Sequence, residues 1–234
     1  MINLAFYSDQ IIPENDAIDQ KLLVALDANG LGRRIGYIPS GPEPDRRFFQ
    51  ERAAYYARLG LELCLFHDLD EPHALEDENK LFQCDAIHLS GGHTGGFLVR
   101  LKRSGLISSL RTWALEGGFL IGTSAGAILL TPTIATDALF EGQAPEDLMR
   151  ETALDLVPFE FFPHLGSNSA YLPDLVRYSK HSSRPIIACV DGDGLIVTND
   201  RIECIGRPIW VANGEMRLAQ SMPLSAIWVP HRDS

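Results

Sequence analysis

From Ile2 to Leu130 the chain alternates short apolar runs with longer amphipathic ones, and this rhythm leaves few folds open. Ile2–Ser8, Arg34–Pro39, Leu61–Phe66, Asp85–Leu89 and Gly118–Gly122 read as strands. Between the first two, Asn15–Asn29 carries Ala17, Ile18, Leu22, Ala25 and Leu26 at helical spacing, and Gly30 stops it. Asp45 is placed to cap a helix running to Leu59, with Phe49, Ala53 and Tyr56 on one stripe. Phe97–Leu115 reads as helix broken at Gly105, and Ser124–Leu130 as the start of another. Near-continuous apolar strands such as Phe119-Leu120-Ile121 suit a sheet covered on both faces. The fold class expected is α/β, with a doubly wound, mostly parallel sheet.

After Pro132 the rhythm changes. Thr133–Thr136 and Glu160–Phe162 read as short strands around an acidic, irregular stretch, Asp137–Asp155. Leu172–His181 reads as helix. Ile186–Val190, Gly194–Thr198, Arg201–Ile205 and Ile209–Val211 read as closely spaced strands, with Asn199-Asp200 a tight turn. No repeat or linker interrupts the 234 residues, so a single domain over 1–234 is expected.

The net charge of −11 argues against a general nucleic-acid or anionic-membrane binder, since both need a basic face. Cys64, Cys84, Cys189 and Cys204 form no CxxC pair, and each lies in or beside an apolar run. They read as buried free thiols in a reducing compartment. Met1–Tyr7 is apolar but is ended by Asp9 and has no basic residue before it, so it reads as a strand rather than a signal peptide. No apolar run approaches the ~20 residues of a membrane span. A soluble cytoplasmic protein is expected, with no nucleic-acid or membrane partner.

Gly122-Thr123-Ser124-Ala125-Gly126 is a GxSxG sequence set between a strand and a helix, the context of a nucleophile elbow. The turn lifts the Ser124 hydroxyl out at the carboxyl end of a strand, where open α/β sheets bind ligands. A serine nucleophile needs a base. Of seven histidines, His164 follows an apolar run and precedes a flexible Gly-Ser-Asn-Ser stretch, which makes it the base. His67, His73, His88, His181 and His231 read as peripheral or structural, and His93 as a residue lining the site. The orienting carboxylate is Asp191, at the end of Ile186–Val190, or alternatively Asp137. Asp191-Gly192-Asp193-Gly194 also reads as turn chemistry, and it lacks the length and the closing Glu of an EF-hand loop. The oxyanion hole falls to the backbone N–H groups of Ala125 and of Gly92 in the loop Ser90–Gly96. That loop has neither the Lys-Ser/Thr of a P-loop nor GxGxxG spacing.

Taken together these stretches resemble the serine peptidase family of peptidase E (aspartyl dipeptidase) and cyanophycinase. The family's glycine loop is similar to Ser90-Gly91-Gly92-His93-Thr94, and its elbow to Gly122-Thr123-Ser124-Ala125-Gly126-Ala127. Its Pro-Thr-Ile is similar to Pro132-Thr133-Ile134, its Pro-His to Pro163-His164, and its Glu-Gly to Asp191-Gly192. The resemblance implies a class I glutamine amidotransferase-like fold and a triad in the order Ser, His, acid, which favours Asp191. It also implies no metal and no organic cofactor, and a small peptide substrate, with N-terminal aspartate the residue removed. His93 and Thr94 are then substrate-binding candidates. The arginine that reads the substrate aspartate in peptidase E has Arg177 as its counterpart here. Departures are His93 in place of Asn, the added Gly95-Gly96, and Asp in place of Glu at the third position.

Two other readings compete. An α/β-hydrolase-type esterase would use Ser124, Asp191 and His231, but only a short stretch precedes Ser124 for the usual sheet. A catalytically silent module on the same fold would bind a peptide or metabolite without turning it over. For assembly, a closed homodimer is the default expectation.

Overall fold

The computed structural model describes residues 2–71 and 75–227. Strands β1 (Asn3–Tyr7), β2 (Arg34–Ile38), β3 (Glu62–Phe66), β4 (Ala86–Leu89) and β5 (Phe119–Thr123) lie parallel, in the spatial order β1-β5-β4-β2-β3. Helices α1 (Asp16–Ala28), α2 (Arg47–Ala57), α3 (Leu75–Phe82), α4 (Thr94–Arg103) and α5 (Leu106–Leu115) connect them, and α6 (Ala125–Leu129) follows β5.

Side chains alternate along a strand, so each β1 residue is committed to one face. Ala5 and Tyr7 pack with Ile18, Leu22 and Leu26 of α1 and with Tyr55 and Tyr56 of α2. Leu4 and Phe6 pack with Phe97, Leu98 and Leu101 of α4 and with Leu106 and Leu110 of α5. The central strands are thus covered on both faces, which is why they carry no exposed polar stripe. Gly105 divides α4 from α5 with a φ of 76°, which a side chain would disfavour.

The rest of the chain is built differently. β6 (Glu160–Phe162), α8 (Tyr171–Tyr178), β7 (Ile186–Ala188), β8 (Gly194–Thr198), β9 (Arg201–Ile205), β10 (Ile209–Ala212), β11 (Glu215–Leu218) and β12 (Met222–Pro223) follow a short α7 (Pro145–Leu148). β8, β9 and β12 extend the large sheet beyond β1 in antiparallel fashion. Asn199 and Asp200 between β8 and β9 both have positive φ, 51° and 56°, as a two-residue hairpin requires.

The single sheet expected from the sequence is not what forms. β6, β7, β10 and β11 make a second, four-stranded sheet in the order β11-β10-β7-β6. Its β6 and β7 are parallel, with Phe162 opposite Ala188. One face meets the large sheet's α4–α5 side, where the Phe6 ring lies 5.5 Å from Phe159 and 5.4 Å from Phe161. The other face packs on Leu175 and Tyr178 of α8 and on Ala135 and Leu139.

Thr133–Thr136 is not a strand. Thr133 makes one isolated bridge to Thr152, and a 3-10 helix runs over Ala135–Glu141. The Thr133 hydroxyl oxygen accepts the Ala135 N–H at 3.2 Å, a local bond that competes with strand pairing and starts the helical turn. The loop expected at Ser90–Gly96 is also shorter, because α4 already begins at Thr94. Among the described residues no helix is long and apolar enough to cross a membrane.

Candidate active site

Polar residues gather at the carboxyl edge of the large sheet, where Ser8 follows β1, Ser40 lies just past β2, Ser90 follows β4 and Ser124 follows β5. Ser124 has φ 51° and ψ −111°, outside the regions ordinary side chains occupy. Strain of this kind costs roughly 1–3 kcal/mol and persists only where its surroundings enforce it. The flanking glycines show how. A Cβ on Gly122 would lie 2.6 Å from the Ala127 backbone nitrogen, and one on Gly126 would collide with the Leu89 carbonyl. The strand, the turn and α6 therefore close onto one another only with glycine at both positions.

His164 and Asp191 come from the small sheet. Each stands just beyond the carboxyl end of β6 or β7, and the parallel pairing of these strands brings them together. The His164 Nε2 is 2.8 Å from the Ser124 Oγ, and its Nδ1 is 2.6 Å from the Asp191 Oδ1. With Nδ1–H donated to the carboxylate, Nε2 is left as the acceptor for the serine proton. His164 is largely buried and Asp191 half-exposed. Sequence reasoning paired these three residues; it missed Ser8. The fully buried Ser8 hydroxyl accepts the His164 N–H at 2.8 Å and faces Asp191 Oδ1 at 3.1 Å and the Cys189 carbonyl at 3.2 Å. One side chain at the end of β1 thus holds both later residues. Its only signal in the sequence is a polar residue closing an apolar run.

Two cavities flank Ser124. The first, of about 390 Å³, runs from Ser124 and His164 over Gly91 and Gly92 to Tyr37 and α2. The second, of about 330 Å³, is lined by Gly92, His93, Thr94, Asp137 and Glu141. The Ser40 hydroxyl donates to the Gly91 carbonyl at 2.6 Å. In a trans peptide the next N–H points the opposite way, so the Gly92 N–H is turned from Ser40. Ala125, the first residue of α6, has an N–H without an intrahelical partner.

Asp137 lies in the second cavity but is not at the His164 ring. It accepts the Thr94 hydroxyl at 2.5 Å, and burial raises its carboxyl above the usual range. His93 caps α4, its Nδ1 accepting the Gly96 N–H at 2.8 Å, and its Nε2 lies 4.0 Å from Glu141. Arg177 is not brought to the site. It lies on α8, half-exposed, bonded to Glu146 at 3.0 Å, beside a third cavity that contains neither Ser124 nor His164. His73 and His231 lie outside the described residues; the ring at Ser124 is that of His164. Among the described residues one group could hold a metal ion: Asp9, His164 and Asp191, whose ligand atoms lie within 4.8 Å of one another. Both His164 nitrogens are already engaged there, so an ion would compete with the bonds to Ser124 and Asp191 rather than support them.

An elbow serine with an imidazole on its oxygen and backbone N–H groups nearby is an arrangement suited to acyl transfer. The profile of peptidase family S51 matches residues 8–205, so the chain belongs to that family and is a serine peptidase. An uncharacterized peptidase of Listeria monocytogenes is 29% identical over 148 residues, covering 62% of this chain and 72% of that protein. An uncharacterized peptidase of Pasteurella multocida is 33% identical over 153 residues, covering 61% and 70%. Peptidase E of Salmonella heidelberg is 27% identical over 166 residues, covering 70% and 69%. Two solved structures share the fold. A peptidase E protein from Listeria monocytogenes EGD-e matches with a TM-score of 0.67 at 22% identity, over 87% of this chain and 98% of that one. A peptidase from an acI-B1 Actinobacterium matches with a TM-score of 0.71 at 17% identity, over 95% and 97%.

Proposed function

We propose that the protein is a serine exopeptidase that hydrolyses short peptides through an acyl-enzyme, on a class I glutamine amidotransferase-like scaffold. The observation that carries the reading is the continuous row from Asp191 through His164 to Ser124, with spacings of 2.6 and 2.8 Å. Ser124 Oγ attacks the scissile carbonyl while His164 Nε2 takes its proton. The developing oxyanion is received by the N–H groups of Ala125 and Gly92. His164 then returns the proton to the leaving amine, and Asp191 steadies the imidazolium in between. Water repeats the sequence on the acyl-enzyme and frees Ser124. No step calls for a metal or an organic cofactor.

The two cavities on either side of Ser124 sit at the small end of ligand sites and suit one residue each, which favours dipeptides over long chains. Asp-X dipeptides are the first substrates to test, with the products an amino acid and the residue X. The experiment is a hydrolysis screen of Asp-X and non-acidic dipeptides, with wild type beside Ser124→Ala. Turnover of at least one class, lost in Ser124→Ala, is expected. Turnover that survives the substitution would refute the mechanism.

A further inference from the structure

The Gly91–Gly92 peptide lies between two serines. β4 stands between β2 and β5 in the large sheet, so the loop that follows it has Ser40 on its β2 side and Ser124 on its β5 side. All four residues line the first cavity. A Gly-Gly peptide has no Cβ on either side to fix its plane, and left to itself it can turn either its carbonyl or its N–H toward Ser124. Gly92 has a φ of 142°, a conformation that side chains rarely adopt.

Two hydroxyls set that plane. Ser40 Oγ donates to the Gly91 carbonyl at 2.6 Å and Ser90 Oγ donates to it at 3.2 Å, so both lone pairs of the oxygen are engaged. Ser90 Oγ in turn accepts the Ser40 N–H at 2.7 Å. With the carbonyl drawn to the β2 side, the trans peptide aims its N–H to the β5 side, where Ser124 stands. The approach leaves no room for a side chain: a Cβ on Gly92 would collide with the Ser40 hydroxyl, and one on Gly91 would lie 3.5 Å from the Ser124 Cβ. Ser40 is itself held. The carbonyl of Pro39 before it accepts Arg100 Nη1 at 2.8 Å. Arg100 is buried on α4, and its other nitrogens pair with Asp68 at 2.7 Å and Asp70 at 3.0 Å. These charge-assisted bonds fix the guanidinium, and through it the end of β2.

We propose that Ser40 is a positioning residue of the oxyanion hole, its hydroxyl setting the plane of the Gly91–Gly92 peptide so that the Gly92 N–H faces the carbonyl oxygen of the group that Ser124 attacks. The proposal rests on Ser124 as nucleophile and deepens that reading. Ser40 acts through the peptide rather than on the reacting atoms, and it leaves His164 and Asp191 untouched.

The test is labelling of the full chain by a fluorophosphonate. Ser124 Oγ bonds to phosphorus, fluoride leaves, and the phosphoryl oxygen takes the place of the oxyanion. Wild type, Ser40→Ala and Ser124→Ala are compared by intact mass and peptide mapping, and the glycine amides of the free and labelled chains are followed by NMR. Ser40→Ala should label Ser124 about tenfold or more slowly at every pH, because His164 keeps both its bonds while one donor of the hole loses its aim. In wild type the Gly92 N–H signal should move downfield on labelling, and in Ser40→Ala it should move less; a merely structural role for Ser40 would leave that movement as in wild type. Labelling of Ser40→Ala within about twofold of wild type, or a Gly92 signal that stays in place or moves equally in both proteins, would overturn the proposal with the nucleophile intact. An adduct on another residue, or one formed in Ser124→Ala, would bring down the nucleophile and the proposal together.

Discussion

Ser124 stands at the end of a strand in the middle of the large sheet, whereas His164 and Asp191 follow two three-residue strands of the small one. The two regions do different work. Around Ser124 the backbone is over-determined: β5 is paired on both sides, and both elbow glycines touch backbone. Such surroundings can hold a strained φ. His164 also has a positive φ, 54°, and the Leu165 N–H donates to the Cys189 carbonyl at 2.9 Å, so the two loops are tied to each other, but their placement against Ser124 depends on how the small sheet docks. The contacts that dock it beside the site are the Phe6, Phe159 and Phe161 rings, the Ser8 hydroxyl and Glu160, which accepts from Thr131 and Thr133. A site assembled across two sheets is as precise as the seam between them.

Several substitutions break or sharpen this contrast. The largest effect belongs to the row itself: His164→Ala should lower kcat by about 10⁴-fold or more, and Asp191→Asn by somewhat less, with folding intact. Steady-state kinetics beside circular dichroism checks both. At the seam, Phe161→Ala should destabilise the protein by about 3–5 kcal/mol in urea unfolding, since a fully buried ring is lost.

Glu160 tests the seam by pH. Burial raises its pKa from 4.5 to about 7. Between those values the folded chain holds a proton that the unfolded chain has released, so folding gains toward low pH and loses that gain as pH rises through 7. The span corresponds to roughly 3 kcal/mol. Stability of wild type should therefore fall between pH 5 and 8 more steeply than that of Glu160→Gln. Equal slopes would remove Glu160 from the account.

Ser8→Ala is the smallest and most pointed change. It leaves the three residues of the row in place and loosens only their alignment. We expect about a tenfold loss in kcat with KM little changed, and a displaced pH–rate profile. A loss confined to KM would show that Ser8 acts on substrate instead.

The same contrast explains what could be read in advance. In the parallel half, strands buried on both faces leave near-continuous apolar runs, and Gly30 and Gly105 mark helix ends, so β1 to β5 were legible to within a residue or two. α3 was not delimited, because Glu76, Asp77, Glu78 and Lys80 leave few apolar residues to mark a face. In the second half β6 to β10 were legible, but Thr133–Thr136 reads as a strand and is none, β11 and β12 were not legible, and neither was the second sheet. Three residues at β6 and β7 carry no information about which sheet they join, and β11 is exposed throughout. The elbow was legible because its glycines act locally. Ser8, Asp9 and Ser40 were not, since their roles arise only when β1 lies beside β5 and β2 beside β4. Arg177 failed for the converse reason: its position after His164 in the chain does not fix which way α8 faces.

The central claim is that Ser124 is a nucleophile activated by a residue from the other sheet. The most direct measurement is labelling with a fluorophosphonate, read by intact mass and peptide mapping, in wild type, Ser124→Ala and His164→Ala. The account predicts a single adduct on Ser124, none in Ser124→Ala, and labelling slowed by about 100-fold or more in His164→Ala. An adduct on another residue, or labelling that proceeds at the wild-type rate without His164, would contradict it.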